Sequence, residues 1–454
     1  MAAKRITEVV AAAPALAGPT WPSPRYAWYV VALLLLSYAL GVVDRNVIGL
    51  LVPFLKADLN LTDTETAMLM GPAFAIFFAV ASLPLGLLVD RWRRVPVVWG
   101  GLLIWSLASI SCGLAGSFAG LFLARLLVGA GEASTTPASA STIADSFPPL
   151  QRSKAFGVFQ AGGSVGIGIG YLLSAVALSM TGWLQALWPS VLGQMRNWQV
   201  VFIIVGLPGL LLTALMIVTF REPRRFGAAQ QLPAISLQPL LAELRANSWA
   251  LAAVMIATVM NVMIVNAKLS WFPSLFMRVH HWEPQQVAYW LAAVGVPLGL
   301  LSALTAGWAL SWLEKQGRRD GPMLIMMLQC AVWSIFGPLQ CLAATPAATL
   351  AWHACSSLFA TWCVTAAFTA LNRITPNRLR GQVMAVYSLV FAFFGVSLGS
   401  LSVGVLNDRV FTAPGGVAYS LALVCGAIGL IGALVSWFGR RVYTQAVIRA
   451  ESME

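Results

Sequence analysis

Long apolar stretches recur along the whole chain, separated by short polar connections. Each is about 20 residues long, the length that an α-helix needs to cross the hydrocarbon core of a bilayer. Twelve such stretches are counted, centred near Leu36, Phe77, Ser106, Leu127, Gly166, Leu210, Met260, Ala293, Leu328, Leu358, Phe394 and Ala427. The pattern predicts an all-α membrane protein with twelve transmembrane helices and no sizeable soluble domain.

The longest polar connection divides the twelve stretches into two sets of six. It begins with "REPRRFGAAQQLP" after the sixth stretch. Similar motifs occupy corresponding places in the two sets, since "GLLVDRWRR" follows the second stretch and "GWALSWLEKQGRR" follows the eighth. Such a repeat is typical of transporters whose pseudo-symmetric halves enclose a site near the bilayer midplane. The predicted segments are a disordered cytoplasmic tail at 1–25, a six-helix bundle at 26–220, a cytoplasmic linker at 221–246, a second six-helix bundle at 247–441 and a cytoplasmic tail at 442–454.

The charge distribution predicts the topology. Hydrophobic residues make up 59% of the chain and charged residues only 10%, against about 25% charged in an ordinary soluble domain. With the N-terminus inside, 21 of the 28 Lys and Arg fall in cytoplasmic connections and tails. The positive-inside rule therefore predicts a multi-pass protein with both termini cytoplasmic. We expect it in the plasma membrane, here a bacterial inner membrane, and the net charge of +12 indicates topology rather than a nucleic-acid partner.

The sequence lacks the motifs of enzyme, metal and cofactor chemistry. Its six cysteines show no CxxC spacing, its three histidines form no HExxH motif, and it has no Walker-type glycine loop. The "GGSVG" of Gly162 to Gly166 matches the nucleophile-elbow pattern, but that motif requires a strand before it and a histidine partner. Gly162, Gly166 and Gly170 instead form a stripe of small residues that allows close helix packing. We expect no enzyme activity, no cofactor and no metal.

Four charged residues stand inside apolar stretches of the first half. Asp44 and Arg45 lie in "YALGVVDRNVIGLL", and Arg125 and Glu132 lie in "RLLVGAGEASTTPAS", two helical turns apart. A charge at the bilayer centre costs roughly 2.5–3.5 kcal/mol, so pairing Asp44 with Arg125, or Arg45 with Glu132, reduces that cost. Such pairs either only fix the first helix to the fourth or form a working site. We favour the second, because apolar packing fixes helices without desolvating four charges.

The two carboxylates of this group are the candidates for proton coupling. Burial and a neighbouring arginine act on the protonation of a carboxyl group in opposite directions. The balance between them changes when a cavity opens to one side or the other. We therefore predict that Asp44 and Glu132 gain and lose protons during transport.

Six polar residues are the candidate substrate-binding groups. They are Arg45, Arg125, Gln160, Asn266, Lys268 and Trp271. If both face the central cavity, Arg45 and Lys268 present positive charge from opposite halves, which suits an anionic substrate, but Lys268 is interpreted equally well as a snorkelling lysine. Gln160 and Asn266 can equally bond a neighbouring helix. Trp271 can belong to the interfacial aromatic belt.

The segment "GLLVDRWRR" predicts a cytoplasmic gate. Its candidate residues are Gly86, Asp90, Arg91 and Arg94, and a carboxylate at a helix end can pair with an arginine or cap another helix. The alternative interpretation is that these arginines only satisfy the positive-inside rule. The segment resembles the motif between the second and third helices of the major facilitator superfamily. In the second half Ser311 stands where that motif has an aspartate, so a second gate motif is not expected.

The segment from Arg125 to Ser134 resembles the signature of spinster-like members of the superfamily, and "STIADSFP", "REPRR" and "PNRLRGQ" resemble later segments of the same group. The charged residues of the first and fourth helices also resemble those of the anion:cation symporter branch. That resemblance implies two six-helix bundles, proton coupling through Asp44 and Glu132, and carboxylate binding by Arg45.

We therefore expect a secondary active transporter that moves a small organic anion, a carboxylate, together with protons by alternating access. The alternative cargo, implied by the resemblance to animal spinster proteins, is an amphipathic lipid such as a lysophospholipid or a sphingoid phosphate. The expected partners are the anionic substrate, protons and the lipid bilayer, with no nucleic acid, and the expected oligomeric state is a monomer.

Overall fold

The computed structural model describes residues 21–224, 244–376 and 379–452, and within these ranges the chain is helical with no β-strand. Twelve helical units follow one another, several of them broken into two helices that we label a and b. The first six are α1 (Pro24–Leu59), α2a (Asp63–Met70), α2b (Pro72–Arg91), α3 (Arg94–Leu114), α4a (Phe118–Glu132), α4b (Thr135–Ser146), α5 (Pro149–Leu187) and α6 (Asn197–Thr219). The second six are α7 (Ser248–Val279), α8 (Pro284–Lys315), α9 (Gly321–Cys341), α10a (Pro346–Ser357), α10b (Trp362–Ile374), α11a (Arg380–Val390), α11b (Ser397–Arg409) and α12 (Gly416–Glu451).

The fold class expected from the sequence is confirmed. Eleven helical stretches of the described chain are long and apolar enough to cross a bilayer, and the apolar stretch near Leu127 is formed by α4a and α4b in series. Large apolar side chains such as Leu211 and Val218 point outward, 72% and 81% exposed. Such an outer surface suits lipid, in which a helix can be apolar all round.

The helices begin and break at residues that the sequence provides for this purpose. Ser23 caps the first turn of α1, where Pro24 needs no hydrogen-bond partner for its nitrogen. Thr62 and Glu65 form a capping box at the start of α2a. A six-residue π-helical turn, Phe391–Val396, joins α11a to α11b.

The glycine stripe of α5 packs against α1, as its spacing predicted. A Cβ atom at Gly166 would lie 2.8 Å from the carbonyl oxygen of Ala39, and one at Gly162 would lie 2.9 Å from that of Leu35. The close approach of the two helices therefore requires glycine at these positions.

The predicted tails and linker extend over parts of the chain outside the described residues. Positions 1–20 of the N-terminal tail and 225–243 of the linker are among these. At the other terminus, α12 continues without interruption to Glu451, and Arg319 pairs with Glu451 at 2.9 Å.

Candidate functional site

Two ion pairs join α1 to α4a inside the N-terminal half. The guanidinium Nη1 of Arg125 lies 2.9 Å from Oδ2 of Asp44, and Nη2 of Arg45 lies 2.7 Å from Oε1 of Glu132. These are the two pairings that the sequence analysis considered. Consecutive residues of a helix point about 100° apart, and seven residues span about 10 Å. The two pairs therefore occupy different levels along the same helix–helix contact.

The two levels differ in their access to the surroundings. Arg125 is 0% exposed and Asp44 is 3% exposed, so this pair is sealed inside the bundle. The side chain of Arg45 is 31% exposed while that of Glu132 is 5% exposed. The Arg45 guanidinium is thus the group of the four that an incoming molecule can reach.

Side chains from other helices hold the four charges in place. Ser109 on α3 donates its hydroxyl to Oδ1 of Asp44. The Arg45 guanidinium lies 5.2 Å from the centre of the Phe74 ring on α2b, a distance at which the ring face attracts a cation. The sequence analysis missed Ser109 and Phe74, because nothing in their local sequence distinguishes them from other residues of an apolar helix.

The four charged side chains retain unused hydrogen-bonding capacity. Within the described part of the chain, Nε of Arg45, Nε and Nη2 of Arg125 and Oε2 of Glu132 are buried without a partner. The group is electrically neutral when all four residues are ionised. It can therefore accept an anion at an arginine only if a proton or another cation enters with the anion, or if charge separation is tolerated at considerable cost.

The candidate residues of the C-terminal half take other positions. Lys268 is 8% exposed, and its ammonium donates to the Ser356 hydroxyl on α10a at 3.0 Å. Trp271 is 0% exposed, and its indole donates to the carbonyl oxygen of Ser400 on α11b at 3.0 Å. Neither side chain is therefore open to solvent or lipid in this conformation, and Trp271 lies in the packed interior rather than in an exposed aromatic belt.

The two uncharged candidates differ in exposure. Gln160 on α5 is exposed. Asn266 on α7 is half-buried and donates its amide to the carbonyl oxygen of Val262, one turn earlier in the same helix, at 3.0 Å. The structure brings neither of them into hydrogen-bond contact with the four charges of α1 and α4a.

Arg94, at the start of α3, is the centre of a buried ionic cluster. Its side chain is 0% exposed and pairs with Asp145 at the end of α4b and with Oε1 of Glu222, at 3.1 Å, after α6. Glu222 also accepts the backbone N–H groups of Arg94 and Val95, at 3.0 and 2.9 Å. This cluster lies within the N-terminal half and caps α3 with a carboxylate, as the helix dipole favours.

Arg91 and Gly86, two further residues of the expected gate motif, lie outside this buried cluster. Arg91 is exposed, and a Cβ atom at Gly86 would meet no atom within 4 Å. The side chain of Asp90 lies outside the described residues. Asp145 and Glu222 were missed as site residues, although both stand in segments, "STIADSFP" and "REPRR", that carry the family resemblance.

The opposite end of the bundle, here called the Asp63 end, holds the two halves together. Asp63 at the start of α2a accepts two hydrogen bonds from Arg278 of α7, at 2.6 and 2.9 Å, and one from Asn407 of α11b, at 2.8 Å. Lys56 of α1 also pairs with Asp63. The Asp408 carboxylate accepts the backbone N–H of Asp63 at 3.1 Å. The sequence analysis did not find this cluster, because Asp63 lies 215 residues from Arg278 and 344 from Asn407, and these residues look like ordinary loop charges.

The chain folds into two sets of six spanning helical units, with charged residues buried between the helices. This architecture is typical of a multi-pass membrane transporter. The model of the Major Facilitator Superfamily matches residues 34–400. The chain belongs to this superfamily, and it is a transporter rather than an enzyme.

Three similar proteins extend this assignment. An "MFS-type efflux pump" of Mycolicibacterium smegmatis is 25% identical over 437 residues, which cover 94% of this chain and 95% of that protein. A "Probable L-galactonate transporter" of Escherichia coli is 24% identical over 428 residues, covering 90% and 88%. The crystal structure of a bacterial homolog of the human lysosomal transporter Spinster, in an inward-facing and unoccupied conformation, superposes with a TM-score of 0.77 at 23% identity, covering 94% and 99%.

Proposed function

We propose that this protein is a proton-coupled transporter of a small organic anion, a carboxylate, and that it works by alternating access. The observation that carries the proposal is the Arg45–Glu132 pair, in which a partly exposed guanidinium is bonded to a buried carboxylate at 2.7 Å. A guanidinium binds carboxylates through two parallel hydrogen bonds. The carboxylate of a substrate and that of Glu132 therefore compete for Arg45.

Charge balance links this competition to a proton. When a substrate carboxylate takes the place of Glu132 at Arg45, Glu132 loses its counter-ion in a low-dielectric site. A buried, unpaired carboxylate is very unfavourable, so Glu132 takes up a proton. One anion and one proton then occupy a site that remains neutral, and release of the anion returns Glu132 to Arg45 with loss of the proton.

The sealed Asp44–Arg125 pair is proposed to support this exchange. Its carboxylate pairs with Arg125 and accepts a hydrogen bond from the Ser109 hydroxyl. Arg125 also keeps two nitrogens without a protein partner in the described residues. Asp44 becomes a second proton acceptor only if α1 and α4a separate at this level.

Alternating access is proposed to proceed by opening and closing of the Asp63 end. In the present structure this end is closed by Asp63, Arg278 and Asn407 from both halves. The Arg94 cluster at the other end lies entirely within the N-terminal half. With the orientation expected from the positive-inside rule, the Asp63 end faces outward and the present state is closed to the outside.

The relatives support an anionic cargo and a bacterial plasma membrane. The E. coli protein that is similar over most of this chain is described as a probable transporter of L-galactonate, which is a sugar carboxylate. The lipid alternative rests on the sequence resemblance to animal spinster proteins. We propose the carboxylate first, because a partly exposed arginine paired with a carboxylate provides direct recognition of that group.

Uptake into proteoliposomes tests the proposal. With a proton gradient, wild-type protein should accumulate a radiolabelled sugar acid such as galactonate, glucuronate or glucarate. The Glu132→Gln variant should bind the same acid but lose accumulation driven by the gradient, and Arg45→Gln should lose binding. Lys315→Gln, at an exposed position of the C-terminal half, serves as the matched control. Gradient-driven accumulation by Glu132→Gln would refute the coupling, and binding of lysolipids with no response to any carboxylate would replace the anionic cargo by a lipid.

A further inference from the structure

Lys268 is a buried lysine that has no ionic partner within the described part of the chain. It lies on α7 with 8% of its surface exposed and donates one hydrogen bond, to the Ser356 hydroxyl, at 3.0 Å. Among the residues that the structure describes, no Asp or Glu forms an ion pair with it. A buried ammonium group is very unfavourable unless it is paired or neutral. The surroundings of Lys268 must therefore supply the compensation for its charge that no carboxylate of the described chain supplies.

Aromatic rings around Lys268 favour the charged form. Its ammonium lies 5.2 Å from the centre of the Trp333 ring on α9 and 5.8 Å from that of the Phe272 ring on its own helix. Both distances are within the range of cation–π attraction, which is stronger when the cation is desolvated. The His353 ring lies beside that of Phe272, tilted by 34°, with 4.7 Å between ring centres. The Trp333 and Phe272 rings stabilise the cation but accept no conventional hydrogen bond.

The polar groups beside Lys268 contain more donors than acceptors. The side-chain oxygen of Gln340 on α9 is in contact with Nδ1 of His353 at 3.2 Å and with the Ser356 hydroxyl at 3.5 Å. Its amide nitrogen has no partner in the described chain, although Gln340 is only 1% exposed. An ammonium has three donors and an amide nitrogen two, so Lys268 and Gln340 both retain N–H groups without an acceptor.

The other polar atoms nearby do not correct this imbalance. The indole of Trp333 already donates to the carbonyl oxygen of Ser356 at 2.9 Å. The thiols of Cys341 and Cys425 and the imidazole of His353 also interact electrostatically with Lys268, and thiols accept hydrogen bonds only weakly. The cluster of Lys268, Gln340 and Ser356 is thus positively charged, rich in donors and poor in acceptors.

We propose that the cluster of Lys268, Gln340 and Ser356 binds a small inorganic anion of the size of chloride. Such an anion accepts several hydrogen bonds at once and neutralises the ammonium, which together satisfy the unused donors. It would join α7, α9 and α10a within the C-terminal half. The site is separate from the Arg45–Glu132 pair, and the proposal does not depend on the proposed cargo or on proton coupling.

The orientation of Lys268 distinguishes this site from the one for cargo. A Cβ atom at Gly49 of α1 would lie 3.1 and 3.2 Å from the carbonyl oxygens of Leu269 and Ser270, so that face of α7 packs against the N-terminal half. Lys268 instead contacts α9 and α10a, which belong to its own half.

Thermal unfolding of the purified protein at constant pH and ionic strength tests the proposal, with chloride replaced stepwise by methanesulfonate, which carries no carboxylate and is not a candidate cargo. A ligand that binds the folded state raises the melting temperature in a saturable manner. Chloride should do so for the wild type and for Lys315→Met, an exposed control. Lys268→Met should show no chloride-dependent shift and should be at least as stable as the wild type in methanesulfonate, because it removes an unpaired charge.

Two further variants keep the test decisive if Lys268→Met does not fold. Gln340→Met should raise the half-saturating chloride concentration about tenfold or more, because chloride binds more weakly. The double variant Cys341→Ala with Cys425→Ala should leave this concentration unchanged. The same chloride response in wild type, Lys268→Met and Gln340→Met would overturn the proposal. So would a wild-type protein that ignores chloride and is destabilised by mild acid, since that result means a neutral amine. A chloride response that is absent from the wild type and appears only in the cysteine variant would also overturn the proposal, because it would identify a thiolate as the counter-ion.

Discussion

Gly41 of α1 lies directly against the carboxyl group of Glu132 on α4a. A Cβ atom at Gly41 would be 2.9 Å from both Cδ and Oε1 of that carboxyl group. The same Oε1 is bonded to Arg45, four residues further along α1, at 2.7 Å. Glycine therefore creates the space in which the carboxylate lies flat on α1 and reaches the guanidinium.

Replacing Gly41 by alanine should weaken the Arg45–Glu132 pair without disrupting the fold. The methyl group displaces the carboxyl end of a flexible side chain by a few tenths of an ångström, so we expect a change in substrate affinity and in the pH dependence of uptake rather than loss of protein. Gly100→Ala, in a helix position with no atom within 4 Å of the added carbon, is the control. Uptake kinetics identical to those of the control at every pH would show that the carboxyl group does not require this space.

Breaking the Asp63–Arg278 contact should open the Asp63 end. The side chain of Asp63 is 5% exposed and that of Arg278 is 20% exposed. Loss of Asp63 leaves Arg278 without this carboxylate, at a cost of about 3–5 kcal/mol, whereas loss of Arg278 leaves Asp63 with Lys56 as its cation. We expect Asp63→Asn and Arg278→Gln to shift the population towards an open end. Spin labels at Ala57→Cys and Thr412→Cys, both exposed, measure the distance between halves after Cys355→Ser removes an exposed native thiol.

The distance measurement needs a control of equal charge change. Asp320→Asn alters an ion pair with Arg318 that is partly exposed, where such pairs contribute about 0–1 kcal/mol. The inter-label distance distribution should not change in this variant. Distributions for Asp63→Asn and Arg278→Gln that match the wild type would show that other contacts close this end.

The Arg94 cluster should contribute strongly to stability. Arg94 is fully buried and bonded to Asp145 and Glu222, so Arg94→Gln leaves two carboxylates without their cation. We expect a drop of several degrees in the melting temperature, against a change of about one degree for Arg319→Gln, whose pair with Glu451 is about half exposed on both sides. Equal melting temperatures for the two variants would contradict a structural role for the cluster.

The hydrophobic pattern was sufficient to predict the fold, because each spanning helix is marked by its length and apolar composition. The pairing of Asp44 with Arg125 and of Arg45 with Glu132 was also within reach, since four charges on two apolar helices have few ways to compensate one another. The direction of Lys268 was not predictable, because α7 is apolar on several faces and only the packing determines which face meets α1. The Asp63 contacts were missed for a related reason, since they form only when the two halves meet.

Gly168 of α5 marks a direct contact between the two halves. A Cβ atom there would lie 1.9 Å from Cγ2 of Val296 on α8, so the present conformation excludes any larger residue unless Val296 moves. Gly168→Ala should therefore disfavour this conformation and slow uptake, and Val296→Ala should restore it in the double variant, because the shorter side chain makes room for the new methyl group. Gly182→Ala, in the same helix with nothing within 4 Å, controls for the helix-stabilising effect of alanine. Equal uptake by Gly168→Ala and Gly182→Ala would mean that α5 and α8 separate easily at this point, whereas rescue by Val296→Ala would establish that the two helices must fit closely during the transport cycle.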